Sequence, residues 1–260
     1  MTGVREQPMV PRAEFRSSYY GRPILKKPVW KWDIPAYFFT GGVMAGSSLL
    51  AAGADLTGNR QLRRAARLAA AANLGVSSYL LVHDLGRPDR FLNMLRVFKP
   101  TSPMSMGTWL LAAYGPAAGL AAASEVTGWL PVVGRAAGWG AGMLAPAVAT
   151  YTAVLTADTA VPSWHDAHRH LPFVFAGSAG AAAAGLAMAV VPPPAAGPAR
   201  RLAALGATLD LAAARRMERD IGLSAEPYEQ GTAGRLNRWA KALTAGGAVA
   251  GAVLGRRSRA

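Results

Sequence analysis

Six polar residues stand at the edges of long apolar segments, where side chains that exchange protons are uncommon. They are Asp33, Tyr37, His83, Asp84, Tyr151 and Asp158. Asp33 and Tyr37 are four residues apart and Tyr151 and Asp158 are seven apart, so each pair shares a face if its segment is helical. Ionisable groups near a membrane interior are functional candidates. The simpler interpretation is that Asp33 caps a helix and Tyr37 is an interfacial aromatic residue.

Histidine and cysteine content limits the metal chemistry of the chain. There is no cysteine, so the chain cannot itself ligate a conventional iron–sulfur cluster or use a thiolate nucleophile. A b-type haem inside a bundle needs paired histidines at membrane depth. All four histidines lie instead at segment ends or in one short loop: His83, His165, His168 and His170. We therefore expect no haem, no iron–sulfur cluster, no metal site and no catalytic metal of the chain's own.

The composition indicates an integral membrane protein. The chain is 52% hydrophobic and 16% charged, whereas soluble domains contain about 25% charged residues. Five apolar segments approach or exceed the roughly 20 residues that a membrane-spanning helix needs. They cover residues 34–54, 65–82, 104–123, 136–157 and 171–191. The sequence therefore predicts an all-α fold, a polytopic bundle of transmembrane helices.

The C-terminal third contains two weaker candidate spans. Residues 202–214 form a short apolar segment interrupted by Asp210, and residues 240–254 are apolar and glycine-rich. Counting both gives about seven spans. We predict a basic N-terminal tail over 1–32, a five-helix transmembrane core over 33–191 and C-terminal helices over 192–260. Gly42 and Gly46 form a small-xxx-small step, which favours close packing between helices.

The net charge of +14 is concentrated at the edges of the apolar segments. With seven spans, the N-terminal tail shares one side with the loops near 83–103, 158–170 and 210–241. That side carries 18 of the 28 lysine and arginine residues. The positive-inside rule then predicts that this side is cytoplasmic, and it explains the basic residues without nucleic-acid binding.

The loop after the second apolar segment carries four basic residues: Arg87, Arg90, Arg96 and Lys99. They could snorkel to lipid headgroups, pair with Asp84 and Asp89, or face an acidic partner. We favour an Asp84–Arg87 pair that stabilises the loop, and we place Arg90 at a subunit contact.

Three sequence segments together resemble the NrfD/polysulfide-reductase (PsrC-like) membrane-subunit family. They are DLGRPDRF with SPMSMGTW in the loop from residue 84, WKWDIPAYFFTGGVMAG from residue 30, and YTAVLTADTAVPSWHDAHRHLP from residue 151. The similarity covers about residues 28–255. Members of this family usually have about eight spans, so with about seven up to Ala260 the sequence is either a short form or a truncated product.

The resemblance implies a function in electron transport. Members are haem-free membrane anchors that bind a quinone and dock an iron–sulfur subunit of a molybdenum-dependent or related complex. The implied partners are a four-cluster ferredoxin-like subunit and a molybdopterin-type catalytic subunit, in the cell membrane. A menaquinone-like headgroup would then lie among the six polar residues named first, with Tyr37, His83 and Asp158 as its candidate ligands.

Two other classes of function remain open from the sequence. A proton-conducting or transporter-type bundle would need a continuous polar pathway. A purely structural anchor would not depend on Asp33 or Tyr37.

Overall fold

Seven helices of 20 to 27 residues make up most of the protein in this computed structural model, which describes residues 28–257. The long helices are α1 (Asp33–Leu56), α2 (Arg60–Asp84), α3 (Pro103–Thr127), α4 (Pro131–Ala157), α6 (Leu171–Val190), α7 (Gly197–Asp220) and α9 (Gly231–Arg257), with four-residue helices α5 (Pro162–His165) and α8 (Glu226–Glu229) between them. Short 3-10 helices lie at Pro88–Arg96, Asp166–Arg169, Pro193–Ala196 and Gly222–Ala225. Residues 28–257 contain no β-strand, and the predicted all-α fold is confirmed.

Four of the long helices, α1, α2, α4 and α6, are long and apolar enough to cross a membrane. They coincide with four of the predicted spans and confirm a polytopic helical bundle. The other three long helices, α3, α7 and α9, also form where spans were predicted, but they do not belong to this set of four. In α7 the apolar stretch is interrupted by Asp210, and both ends of the helix are charged. Membrane crossing by these three helices remains a prediction.

Capping residues fix the two shortest connections between core helices. The Asn59 side chain accepts a hydrogen bond from the backbone N–H of Leu62 at 3.1 Å and so starts α2. Gly128 adopts φ 73° at the end of α3, a left-handed conformation that glycine reaches without steric cost. Pro131 occupies the first turn of α4, where its missing N–H is not needed. Because these connections are so short, α1 and α2 are antiparallel neighbours, and so are α3 and α4.

The antiparallel order gives the bundle two distinct ends. The Asp33 end holds the starts of α1, α3, α6 and α9 and the ends of α2, α4 and α7. Contacts at this end join Asp33 to His83 of α2 and His170, before α6, to Asp220 of α7. At the Asp55 end, Asp55 contacts Arg63 in the first turn of α2. The two aspartates are about 33 Å apart along α1, close to the thickness of the hydrocarbon core of a bilayer.

Small residues allow the helix backbones to touch. A Cβ atom added to Gly46 in α1 would lie 2.5 Å from the carbonyl oxygen of Ala179 in α6, and one added to Gly42 would lie 3.4 Å from the Ala179 Cβ. The Gly42–Gly46 step therefore forms a helix interface, as predicted. Between α6 and α7, a Cβ on Gly206 would lie 2.7 Å from the carbonyl oxygen of Gly177. Such contacts depend on van der Waals packing, because lipid supplies no hydrophobic drive.

Besides the packing of α7 on α6, polar contacts attach the C-terminal helices to the core at the Asp33 end. His170 at the start of α6 contacts Asp220 at the end of α7, with 3.0 Å between Nε2 and Oδ2. The Tyr228 hydroxyl donates to the carbonyl oxygen of Ser163. Burial, with a further contribution from the charge of Glu218, raises the pKa of Tyr228 to about 12, so this hydroxyl is protonated at neutral pH. The predicted division at residues 191 and 192 falls just before α7, and most of the predicted tail, 1–32, lies outside the described residues.

Candidate functional site

A cavity of about 320 Å³ lies between α1, α2, α3 and α4 toward the Asp33 end. The 3-10 helix Pro88–Arg96 covers part of it. The walls are mainly apolar, and the polar side chains among them are Tyr37, Ser77, Ser78, Asp84, Thr108 and Tyr151. Three of the six predicted site residues, Tyr37, Asp84 and Tyr151, therefore line one cavity.

Tyr37 and Tyr151 meet through their hydroxyl groups, although they are 114 residues apart in the sequence. Tyr37 is buried, with 1% of its surface exposed, and its ring also lies next to Gly41 one turn further along α1. The Tyr151 ring fits against Gly107 of α3, where an added Cβ would overlap the ring. The SPMSMGTW segment thus supplies the space that Tyr151 needs.

Asp33 and His83 form a hydrogen-bonded pair beside the cavity, with 2.9 Å between Oδ1 and Nδ1. The Asp33 side chain is 1% exposed, whereas that of His83 is 51% exposed. Aromatic rings hold the imidazole: Tyr79 stacks on it at 5.6 Å and Trp32 lies at 6.2 Å. The interpretation of Asp33 as a helix cap is wrong, because Trp32 occupies that position and α1 has no side-chain cap.

Two further predictions concern the place of Asp158 and the pairing of Asp84. Asp158 follows the last residue of α4, is exposed, and is not among the residues that line the cavity. Asp84 lines the cavity, and the ion pairs among the described residues do not include Asp84 with Arg87. The predicted Asp84–Arg87 pair is therefore wrong. The physical reason is that α2 ends at Asp84, and the extended backbone of Leu85 then separates the two side chains.

The four predicted docking residues, Arg87, Arg90, Arg96 and Lys99, are all exposed at the Asp33 end. They lie in and around the 3-10 helix that covers the cavity. The backbone beyond this helix is fixed to α3, because the Val97 carbonyl oxygen accepts hydrogen bonds from Ser105 Oγ and Trp109 Nε1, both at 3.1 Å. We call the four residues Arg87, Arg90, Arg96 and Lys99 the basic surface. This surface is adjacent to the cavity, and its contact with a partner remains a prediction.

Two features of the site could not be recognised from the sequence. Thr40 and Ser77 share a hydrogen bond of 2.8 Å between α1 and α2, next to the tyrosine pair. Trp30, which lines the cavity, stacks on Trp164 of α5 with ring centroids 5.8 Å apart. The aromatic and hydroxyl residues involved are common in the chain, so only their position in the fold distinguishes them.

A second polar centre, also missed by sequence reasoning, lies at the Asp55 end. Asp55 accepts hydrogen bonds from Arg63 at 3.1 Å, from Arg135 at 2.8 Å and from Trp139 at 3.1 Å. Glu125 of α3 accepts from Arg63 and, at 2.8 Å, from Arg67. We call these residues, Asp55, Arg63, Arg67, Glu125, Arg135 and Trp139, the ion-pair network. Its carboxylates are already satisfied by fixed donors, so it holds α1 to α4 together.

The ionisable side chains of the cavity are not arranged as a metal centre. Within the part of the chain that the structure describes, no three His, Cys, Asp or Glu side chains are grouped as metal ligands. The fold and the cavity instead define a multi-helix membrane protein with tyrosine hydroxyls and a carboxyl group lining a cavity at one end.

Comparison with known proteins assigns the family. The family model described as polysulphide reductase, NrfD, matches residues 24–196, more than half of the chain, so the chain belongs to the NrfD family. A similar protein is the C subunit of polysulfide reductase from Wolinella succinogenes, which is 33% identical over 94 residues. That alignment covers 34% of the present chain and 30% of the relative's length.

Proposed function

We propose that the chain is the quinone-reactive membrane anchor of an iron–sulfur/molybdenum-type oxidoreductase complex. It would exchange electrons between an iron–sulfur partner subunit and the quinone pool of the cell membrane. Membership of the NrfD family supports this class of function. The observation that carries the proposal is the cavity itself, which combines apolar walls with two tyrosine hydroxyls and a carboxyl group at the Asp33 end.

A quinone suits such a cavity because it joins a headgroup with two carbonyl oxygens to an apolar tail. The Tyr37 and Tyr151 hydroxyls can donate hydrogen bonds to a carbonyl oxygen, and side chains such as Leu74, Leu111 and Leu155 offer apolar contact. A menaquinone-like molecule is larger than 320 Å³, so only its headgroup and the first part of its tail would be enclosed. The rest of the tail would extend into lipid.

Quinone reduction to quinol takes up two electrons and two protons, so a route for protons is needed. The Asp33–His83 pair supplies a suitable one, because His83 is half exposed while Asp33 is buried. The imidazole can take a proton from the aqueous side and pass it to the carboxylate that it contacts. The electrons would come from the iron–sulfur partner, docked on the basic surface at the same end.

The other classes of function make different demands on the structure. A proton-conducting or transporter-type bundle needs connected polar groups from one end to the other. Among the described residues, the side-chain hydrogen bonds that join helices between the two ends include Thr40–Ser77 and Ser48–Tyr114, which share no residue. This arrangement favours the quinone site. A purely structural anchor would retain quinone-linked activity when the cavity hydroxyls are removed.

Tyr37→Phe tests the proposal, with Tyr114→Phe as a matched control. Both substitutions remove one buried hydroxyl from the same bundle, but Tyr114 bonds Ser48 and the Met44 carbonyl oxygen and does not line the cavity. A hydrogen bond to the headgroup is worth about 0.5–1.5 kcal/mol. We expect Tyr37→Phe to lower the apparent affinity for a menaquinone analogue roughly threefold to tenfold.

In the same complexes, dye-linked activity of the partner enzyme should be unchanged by either substitution. His83→Ala should slow quinone reduction more than it changes affinity, because His83 lies beside the cavity rather than in its lining. Equal quinone kinetics in Tyr37→Phe, His83→Ala and Tyr114→Phe would contradict the proposed site.

A further inference from the structure

The 3-10 helix Pro88–Arg96 has two faces with different surroundings. Phe91, Met94 and Leu95 line the cavity. Leu92 is not among the cavity-lining residues and is 68% exposed on the outer, solvent-facing side, next to the exposed Arg90. One short segment therefore borders both the cavity and the basic surface.

This segment is anchored at its ends and has no buried residue between them. Its N-terminal side is joined to α2 by residues 85–87, of which Leu85 also lines the cavity. Its C-terminal side is held by the hydrogen bonds of the Val97 carbonyl oxygen and by the Phe98 ring, which packs edge-on against Trp109 at 6.0 Å. Segments with few buried apolar contacts have low local stability, so this one can shift while its ends stay in place.

We propose that Pro88–Arg96 is a two-sided cover through which partner docking and ligand binding are coupled. A ligand in the cavity packs against the inner face, and an acidic protein surface docks on the outer face, so both favour the same closed position. The nature of the ligand and of the partner rests on the proposed function. The coupling itself rests on the shared segment.

The chemistry of the outer face identifies the partner as an acidic protein surface. Arg87, Arg90, Arg96 and Lys99 outnumber the single carboxylate of the segment, Asp89. Leu92, exposed among these charges, offers an apolar contact of the kind found at the centre of protein interfaces. Coupling between two sites is reciprocal: if docking strengthens ligand binding by some factor, the ligand strengthens docking by the same factor.

The absence of native cysteine allows a single reporter to be placed on the cover. Leu92→Cys carries a nitroxide label on the outer face, and Leu223→Cys, 96% exposed in another 3-10 helix at the same end, carries the control label. The full chain is reconstituted in phosphatidylcholine nanodiscs and titrated with 2-heptyl-4-hydroxyquinoline N-oxide, a quinone-site probe. Binding is measured separately by quenching of tryptophan fluorescence.

We expect the probe to slow the motion of the Leu92→Cys label at least twofold and to leave the Leu223→Cys label unchanged. Binding without any change at position 92 would overturn the cover and leave the quinone site intact. Failure of the probe to bind would instead refute the proposed function, and the coupling that rests on it. Slowing of the label by phosphatidylglycerol nanodiscs alone, to the same extent, would identify anionic lipid rather than a protein as the outer ligand.

A second measurement tests the coupling in the complex that copurifies with the tagged chain. Probe affinity should be at least fivefold higher in this complex than in the isolated chain, in line with typical coupling energies. Leu92→Ala should reduce this difference, because its side chain lies outside the cavity. Leu95→Ala, on the inner face, should weaken probe binding in both forms. Equal probe affinity in the complex and in the isolated chain would refute the coupling.

Discussion

The two ends of the same four helices use charged residues in different ways. At the Asp55 end, two carboxylates meet three guanidinium groups and a tryptophan N–H in the ion-pair network. At the Asp33 end, one buried carboxylate meets a half-exposed imidazole beside a cavity lined by hydroxyls. Guanidinium groups do not release protons at physiological pH, whereas an imidazole does. The Asp55 end therefore stabilises the bundle, whereas the Asp33 end is the one that exchanges protons under the proposed function.

The largest effect on stability should come from Asp55→Ala. The substitution removes the acceptor of three hydrogen bonds and leaves Arg63 and Arg135 without that carboxylate. Breaking a buried pair costs about 3–5 kcal/mol, and we expect about 3 kcal/mol because the Arg135 side chain is 63% exposed. The free energy of unfolding in detergent measures this loss.

At the other end, Asp33→Asn should affect quinone reduction more than stability. It keeps the side-chain volume and a hydrogen-bonding oxygen, so we expect a smaller loss of stability together with slower quinone reduction. Equal losses of stability in Asp55→Ala and Asp33→Asn, with quinone reduction unchanged in both, would contradict the assignment of different roles to the two ends.

Gly107→Ala should have an intermediate effect. The added Cβ would overlap the Tyr151 ring, and overpacking of this kind costs about 1–3 kcal/mol. Because the displaced ring belongs to the cavity, probe affinity should fall as well. Gly119→Ala in the same helix is the control, since nothing lies within 4 Å of its Cβ position. It should leave affinity unchanged and raise helix stability slightly. Similar probe affinities in Gly107→Ala and Gly119→Ala would show that Tyr151 does not contribute to ligand binding.

Arg90→Glu should have the smallest effect on the chain itself, because surface substitutions usually change stability by less than about 0.5 kcal/mol. Its consequence should appear in assembly. The isolated chain should insert and unfold as before, while the amount of copurified partner falls, most clearly at low salt where charges are least screened. Retention of the partner at all salt concentrations would show that the basic surface is simply solvated.

The sequence was sufficient to predict the helices, because long apolar segments bounded by prolines, glycines and charges leave few other solutions. Polar residues are conspicuous at the edges of apolar segments, and three of those singled out in this way, Tyr37, Asp84 and Tyr151, line one cavity. Asp158 follows α4 and is not among the lining residues, and its place relative to the cavity depends on packing that the sequence does not show.

The ion-pair network was missed for a different reason. Glu125 and Arg135 stand near helix ends, where charges are expected to contact water or headgroups, and their pairing with α1 and α2 depends on tertiary packing. The meeting of Tyr37 with Tyr151 likewise requires the relative rotation of two helices far apart in the sequence. The need for glycine at position 107 likewise depends on tertiary packing, because it arises from the Tyr151 ring that lies against it.

The contact between the Tyr37 and Tyr151 hydroxyls has a consequence for the number of hydrogen atoms available. Two neutral hydroxyls carry two hydrogens, but the contact between their oxygens uses only one. The second hydrogen is therefore available to a third oxygen, on the side where the cavity lies. Rotation of the two O–H bonds exchanges the roles of the tyrosines without moving either ring. Under the proposed function, the pair would act as one adjustable donor that follows a ligand oxygen between two positions.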